Sequence, residues 1–591
     1  MNIGIPTETS AHETRVVATP ETVMKYVSQG HGVNVQRGAG ALASYPDDAY
    51  EAGLRRCKEG DRRDGEGGCI GARFFNAHSH RRTSMTYIDS AGAAARATTA
   101  SIETALRERV AAEVPFDLHE HLARTLAVVG IDPASAGGAI TFEGADPIVP
   151  SVFRLGAAAG LALMTKSVAI AALWAKRTGE GQDLHLDIRQ APRRLCPFWE
   201  RKWELLNGHA PRNTADPTNP FMRAFFETRD GRWMMPFNLY PRLRSSALRL
   251  LQSTDEPEAV AAAFRKWDAR ELEETGSAAG VVMPMVRSAE EFMQEKQYVD
   301  HLSSMPLVQV EKIGESDPEP FTPDPVAPLD GVRVLGMARV IAGAAIGRAL
   351  AYHGADVLNV WRPDDFEVDT MYTTANVGVR STLIDVGASE GNAQMKALLR
   401  GADIFYANRR HGFLDKVGLT AEEAAQVRPG IIHVTVSLHG ETGPWATRAG
   451  FDQTAGAVTG VTTLEGSPDA PQLPPVMVVN DNMVAWLATT GALAALMRRV
   501  DEGGSYRVHV SLSRASLWLY SLGLFDKTFA HETAGSSIAH ENAKPSLFAA
   551  DTPAGRYQGV TDQVRMSRTP GHYATVLVPR GSSLPVWMPR R

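Results

Sequence analysis

The chain of 591 residues has a formal net charge of −6 and is 44% apolar and 22% charged, a make-up that suits about two to four globular domains and gives no general electrostatic reason to bind nucleic acid or an anionic membrane. Its three cysteines, Cys57, Cys69 and Cys196, are too few for a disulfide framework and too scattered for a thiolate zinc site. The opening MNIGIPTETSAHETRV carries acidic residues and no long apolar core, so it does not read as a secretory signal, and a cytoplasmic protein is expected.

Residues 1–54 predict strand, helix and strand: NIGIP, a helix from Pro20 to about Gly30, then GVNVQ and a glycine-rich turn, which is half of an α/β unit. Residues 55–84 are dense in arginine and glycine, with neither helical nor strand period, and read as a linker. The pair His78 and His80 has no nearby carboxylate or thiol to complete a ligand set, so a solvated loop and no metal site are expected. From Met85 the alanine-rich run SAGAAARATTASIETALRERVAAEV predicts a helix. The apolar stretch Leu155 to Ala175 is interrupted by Lys166 and rich in alanine, which suits a buried helix better than a membrane span.

Residues 85–315 form one half of the remaining chain. Within it, 215–320 predict a small α+β domain with a hairpin around Asp230 and Gly231. Residues 316–330, SDPEPFTPDPVAPLD, read as a linker rich in proline and acid. Residues 331–591 form the second half, in which GVRVLGMA, DVLNVW, STLIDV, DIFYAN and IIHVTVS alternate with helical runs starting near Gly343, Ser389 and Thr420. That alternation predicts an α/β fold: a Rossmann-like core with a largely parallel sheet, accompanied by the smaller α+β domain. Its glycines at 336, 343 and 347 do not make the G-x-G-x-x-G fingerprint of a dinucleotide site.

One unit occurs twice. AIAALWAKRTGEGQDLHLDIRQA (169–191) and ALAALMRRVDEGGSYRVHVSLSRA (492–515) share an alanine/leucine helix end, a glycine turn and a strand with a central histidine, about 324 residues apart. Gly179 and Gly181 in the first copy, and Gly503 and Gly504 in the second, stand where a helix must stop and reverse into a strand.

Two resemblances follow from these motifs. IGIPTE, ETRVVATPETV and RGAGALASYPDDAY resemble the extreme N-terminus of the alanine dehydrogenase and NAD(P) transhydrogenase alpha-subunit family, in which Arg15 would lie in the substrate cleft. The nicotinamide-binding domain of that family is missing, so NAD chemistry is not expected. PLDGVRVLGMARVIAGAAIGRALAYHGADVLNVWRPD, GADIFYANRRHGFLDKVGLT and SLHGETGPWATRAGFDQTAGAVTG, in order, resemble the family III (CaiB/BaiF) coenzyme A transferases over about residues 328–520. The elements of one such transferase are present in permuted order, with the small domain ahead of the Rossmann-like core.

The second resemblance implies a fold, a reaction and a site. Asp481 matches the aspartate that attacks the acyl-CoA thioester, giving a mixed anhydride and then an aspartyl-CoA thioester, from which a free carboxylic acid takes the coenzyme. On that view no cofactor is permanently bound, acyl-CoA and a carboxylate are the substrates, and a homodimer is expected. Arg362 matches the arginine beside the nucleotide, Val340 and Ile341 match the loop lining the coenzyme pocket, and Arg409, Arg410 and Lys416 lie by the next phosphate-side loop. Ile341 replaces a glutamine of formyl-CoA transferases, which counts against oxalate as acceptor. An aspartate ahead of a helix is also a common N-cap, so a capping role for Asp481 stands beside the catalytic one. The first repeat copy has Ala157 or Ala158 in its place, so one active site per chain is expected. Related acyl-CoA racemases carry R-x-G-H-D, where this chain reads RAGFD; Phe451 has no titratable nitrogen to exchange an α proton, which favours transfer over racemisation. The remaining alternative is a catalytically silent acyl-CoA-binding paralogue.

Overall fold

The computed structural model describes residues 2–5, 22, 23, 25, 32–36, 73–75, 84–211, 219–222 and 225–590. The chain divides into two compact units, Met1–Ala93 and Ala94–Arg591. In the first, Asn2–Ile5 and Gly32–Gln36 pair in parallel, as an α/β half-unit requires, and residues 22, 23 and 25 are helical. The expected linker contains a strand after all: Arg73–Phe75 adds to Gly32–Gln36 in parallel. Three residues are too few to show a period, which is why the sequence did not reveal it. Arg15, His78 and His80 lie outside the described residues.

The second unit is built on a seven-stranded sheet. Its strands are β1 (Gln309–Gly314), β2 (Arg333–Met337), β3 (Asp356–Trp361), β4 (Arg380–Leu383), β5 (Ile404–Ala407), β6 (Ile432–Ser437) and β7 (Ser505–Ser511). They lie in the order β4-β3-β2-β5-β6-β7-β1. All neighbours are parallel except β1, which runs antiparallel along β7. The chain leaves β2 toward β3 on one side and later returns to β5 on the other, so the strand order reverses between β2 and β5, and a crevice opens there at the carboxyl ends of the strands.

Both faces of the sheet are covered, which is why its strands are almost continuously apolar. Val334, Val357, Ile404 and Val434 pack with the main core, and the alternate residues Leu335, Leu358 and Phe405 pack with Met395, Leu399 and Ala424 of the opposite helical layer. The glycines that failed the dinucleotide pattern have a packing role. A Cβ on Gly336 or Gly347 would stand 2.3 Å from the Tyr406 hydroxyl, and one on Gly343 2.5 Å from the Asn408 side chain, so only glycine lets helix α2 (Ala344–Ala351) settle onto β2 and β5.

The repeat is a pair of long buried helices packed on each other, α1 (Leu155–Thr178) and α4 (Asn480–Glu502). Each ends in a glycine at positive φ, Gly179 at 78° and Gly503 at 64°, and each leads into a strand of the predicted kind. Helix α1 is long and apolar enough to cross a membrane, but here it is buried inside the fold. The charge in its middle, Lys166, is fully buried and ion-paired to Asp562, with His353 3.2 Å away. The small domain follows expectation: Phe226–Glu227 and Trp233–Met234 form a hairpin turning at Gly231, and helices Pro241–Leu251, Pro257–Phe264 and Ala269–Ala278 close over Phe226, Met234 and Phe264.

The two halves meet at a buried carboxyl. Ser151, just ahead of α1, donates to Glu465 of the second half. Burial pushes the Glu465 carboxyl up to about 7, against the Ser151 and Val152 hydrogen bonds and Lys527, which lower it. The folded group therefore keeps its proton well above the value of 4.5 at which an unfolded chain gives it up. The stability this contributes is whole below that value and is lost as pH rises toward neutrality, by about 3 kcal/mol. Denaturant unfolding at mildly acidic and mildly alkaline pH should show this decline in the parent protein and a flatter profile in Glu465→Gln, whose side chain has no proton to lose. An equal pH slope in both would remove Glu465 as its source.

Candidate functional site

A cavity of about 800 Å³ opens at the switch point, lined by residues that follow β2, β3, β5 and β6, by Asp481, and by Tyr240–Leu243 and Val282 of the small domain. Its floor is the N-terminus of α4. Such an end has four backbone N–H groups without helical partners, and here a carboxylate from another helix takes them. Asp452 opens the short helix α3 (Asp452–Val458), and its oxygens accept from Val479 N at 3.2 Å, from Asp481 N at 2.9 Å and from Asn480 N between them.

This settles the capping alternative for Asp481. The residue that opens α4 is Val479, no side chain at that position caps the helix, and the capping carboxylate belongs to Asp452. The Asp481 side chain lines the cavity. Burial and the neighbouring Asp452 charge push its carboxyl well above the usual carboxylate range, and burial likewise raises Asp452, to about 6. Two carboxyls in one dry site oppose each other's ionisation.

Strain flanks this floor on both sides. Val340 adopts φ 61° and Met477 φ 64°, a left-handed backbone that is costly for a β-branched residue in particular. Both are held in place. The Val340 N–H donates to Glu367 Oε2 at 2.8 Å, the other Glu367 oxygen accepts the Tyr240 hydroxyl at 2.6 Å, and the Met477 carbonyl accepts from Gln453 at 3.2 Å. Phe451 stacks on Tyr240 at 5.8 Å and meets Phe237 edge-on, forming an aromatic wall to which Phe451 itself brings no titratable group.

The other expected residues divide. Val340 and Arg362 line the cavity; Arg362 follows β3 and is paired with Asp364 at 3.0 Å. Ile341 is buried beneath the lining. Arg409 lines the cavity, but its guanidinium is committed to Asp365 at 2.9 Å and to the Met337 carbonyl. Burial would raise the Asp365 carboxyl; Arg409 and Arg339 hold it below the ordinary carboxylate range. Lys416 is exposed on the helix Phe413–Val417 and is not among the lining residues. Arg410 is better placed: it lines the cavity, donates to the Gly280 carbonyl of the small domain and has no ion pair among the described residues. Tyr240, Glu367, Arg339 and Asp452 were not singled out from sequence. Asp452 had a local signal, since it directly follows Phe451 in RAGFD.

Asp452→Asn separates the two carboxyls. Removing the like charge should let Asp481 ionise at lower pH, so the acidic limb of any reaction needing its anion should move down in pH, while loss of the charged cap costs about 1 kcal/mol. Single-turnover rates against pH, together with denaturant unfolding, read both effects. An acid limb that stays where it was would show that Asp452 does not set the ionisation of Asp481.

Comparison with known proteins gives this geometry a family context. Residues 329–575 match CoA-transferase family III, and residues 4–59 match the N-terminal domain of alanine dehydrogenase/PNT. The chain is 27% identical over 369 residues to an acetyl-coenzyme A transferase of Hypoxylon pulicicidum, covering 58% of this chain and 62% of that one. It is 32% identical over 207 residues to a succinyl-CoA–D-citramalate CoA-transferase of Chloroflexus aurantiacus, covering 33% and 52%. Among solved structures, a CAIB/BAIF family protein from Brucella suis is 25% identical over 39% of this chain and 65% of its own, with a TM-score of 0.29. The chain thus spans between half and two thirds of the curated relatives it matches, and over its C-terminal part it is related to enzymes that transfer coenzyme A.

Proposed function

We propose that the chain is a coenzyme A transferase that moves the coenzyme between an acyl-CoA and a free carboxylic acid, with Asp481 as nucleophile. The observation that carries the reading is that Asp481 faces the switch-point cavity and does not cap its own helix. That cavity's volume of about 800 Å³ suits a cofactor-sized ligand.

One carboxylate oxygen of Asp481 attacks the thioester carbon, the C–S bond breaks, and the mixed anhydride and coenzyme A thiolate remain. The thiolate attacks the aspartyl carbonyl, freeing the donor acid and leaving an aspartyl-CoA thioester. The acceptor carboxylate repeats the sequence in reverse. Covalent catalysis of this kind divides one difficult exchange into easier steps. Asp481 must lose its proton to begin, and the dry pocket that makes this costly also makes the anion reactive. Arg362 and Arg410 stand at the strand ends, where the phosphates of the coenzyme need cationic donors. Phe451 argues against racemisation, since proton exchange at the α carbon needs an acid and a base. The acids that the relatives' names include, acetyl and succinyl groups among them, are the first donors to try. The expected assembly is a homodimer, which sedimentation would read. The small domain that walls the cavity lies in the same chain as Asp481.

Asp481→Asn tests the reading directly. Transfer from acetyl-CoA or succinyl-CoA to a panel of carboxylic acids should fall by about a thousandfold or more, with coenzyme A affinity little changed, because the amide is isosteric and a poor nucleophile. The parent enzyme should show ping-pong kinetics and a hydroxylamine-sensitive adduct on the Asp481 peptide. Turnover by Asp481→Asn at the parent rate would sink the assignment.

A further inference from the structure

A second chemically competent group stands in the same cavity. Residues Thr435 and Ser437 of β6 project on one side of the sheet, two apart, as strand geometry dictates. On the neighbouring strand β7, His509 is in register with Thr435, which brings its imidazole between the two hydroxyls. Ser437 Oγ lies 3.0 Å from His509 Nε2, and Thr435 Oγ1 lies 2.8 Å from His509 Nδ1. Glu441, on the loop that follows β6, completes the line: its Oε1 is 3.2 Å from His509 Nδ1 and accepts from the Thr435 hydroxyl at 2.8 Å.

In the neutral imidazole the hydrogen bonds select one tautomer. With Thr435 donating to Glu441, Nδ1 carries the proton and points at Thr435 and the carboxylate, which leaves Nε2 free to accept the Ser437 hydroxyl. The Gly440 N–H donates to Ser437 Oγ at 2.9 Å and holds it in place. His509 is buried, while Ser437 and Glu441 reach the cavity. This is the arrangement of nucleophile, base and orienting carboxylate that activates a serine.

The other repeat copy shows that the serine is not part of the shared framework. There Thr141 stands opposite His185, with Thr141 Oγ1 2.9 Å from His185 Nδ1, as Thr435 stands opposite His509. Two residues after Thr141, however, comes Glu143 rather than serine, and the buried His185 Nε2 has no hydrogen-bond partner among the described residues. The threonine–histidine pair belongs to the repeat; the serine that completes the relay occurs only in the copy that opens onto the cavity.

We propose that Ser437, His509 and Glu441 form a hydrolytic centre that cleaves a coenzyme A thioester bound in the same cavity as Asp481. The proposal rests on the reading of that cavity as a coenzyme A site. Ser437 Oγ attacks the thioester carbon while His509 Nε2 takes its proton. The C–S bond breaks, and the imidazolium returns the proton to the departing thiolate. Water then attacks the acyl-serine, His509 accepts its proton, and collapse releases the free acid and restores the serine hydroxyl. The net reaction is thioester plus water to acid plus thiol, with no change of oxidation state. Such a centre would discharge a thioester for which no acceptor acid is present.

The full-length protein is given acetyl-CoA or succinyl-CoA without any acceptor acid, and thiol release is followed with a disulfide dye. The parent should release thiol continuously. Ser437→Ala and His509→Gln should lower the ratio of hydrolysis to transfer by about tenfold or more, and Asp481→Asn should raise it. In quenched Asp481→Asn reactions the acyl mass should be found on the Ser437 peptide. If Ser437→Ala or His509→Gln fails to fold, Glu441→Gln, at a loop position 41% exposed, should still slow thiol release. Thiol release equal in the parent and Ser437→Ala, or no acyl mass on the Ser437 peptide of Asp481→Asn, would overturn the proposal. Transfer without Ser437-dependent hydrolysis removes this centre alone. Ser437-dependent hydrolysis without transfer to any acid removes the transferase reading and leaves this one standing.

Discussion

The Asp452 carboxylate and the three amides at the start of α4 fix what the rest of the second unit must do. A buried helix end with unmet N–H groups would be costly. Meeting those groups with a carboxylate from α3 ties two helices together at the floor of the cavity. It also frees Asp481, in the first turn of the helix, to face the cavity instead of its own backbone. The cost is a second negative charge close by in a dry site, so the two carboxyls cannot both ionise easily. A helix cap and a cavity-facing carboxyl thus stand close together, and the charge of one raises the carboxyl of the other.

The first repeat copy shows how much of this is scaffold. Helix α1 is capped in the same manner by a distant carboxylate, Asp146, which accepts from Gly156 N at 3.1 Å and Ala157 N at 2.7 Å. Its glycine stop and following strand match those of α4. Yet where α4 has Asp481, α1 has Ala157, and the burial that raises Asp146 is not joined by a like charge from a second carboxyl. Capping by a remote aspartate is thus a property of the repeat, needed by any buried helix of this length. The second carboxyl belongs to the cavity alone.

The sequence carried the periodic parts of the structure well, because they depend on local rules. The strands of the sheet, the hairpin at Gly231 and the helix stops at Gly179 and Gly503 each follow from side-chain alternation or from a backbone that only glycine tolerates cheaply. Asp481 was singled out by the resemblance of the segments around it and not by a local rule, since an aspartate at a helix start reads equally as a cap. Asp452 was harder: it sits in a motif already under scrutiny for Phe451, but its task is defined by a helix that begins well beyond it, and no spacing rule joins them. The arginines show the same limit. Arg409 and Arg410 are adjacent and alike in sequence; only the fold commits one to Asp365 and leaves the other without an ion pair among the described residues. Lys416 is close to them along the chain and faces elsewhere, since the helix that carries it turns its side chain to the surface.

What the fold adds beyond placement is coupling between the small domain and the strained loop after β2. Val340 cannot hold a left-handed backbone by preference, and its amide is kept there by Glu367, whose other oxygen is taken by Tyr240 of the small domain. Tyr240 in turn stacks on Phe451, the residue directly before the capping Asp452. A movement of the small domain would therefore disturb a strained backbone on one side of the cavity and the cap of α4 on the other. Strain of this kind persists only where its surroundings over-determine it, and here those surroundings include the wall that a ligand must pass or touch. The loop after β2 and the segment that caps α4 are thereby joined to the small domain through three contacts, Glu367 to Val340, Tyr240 to Glu367 and Phe451 to Tyr240.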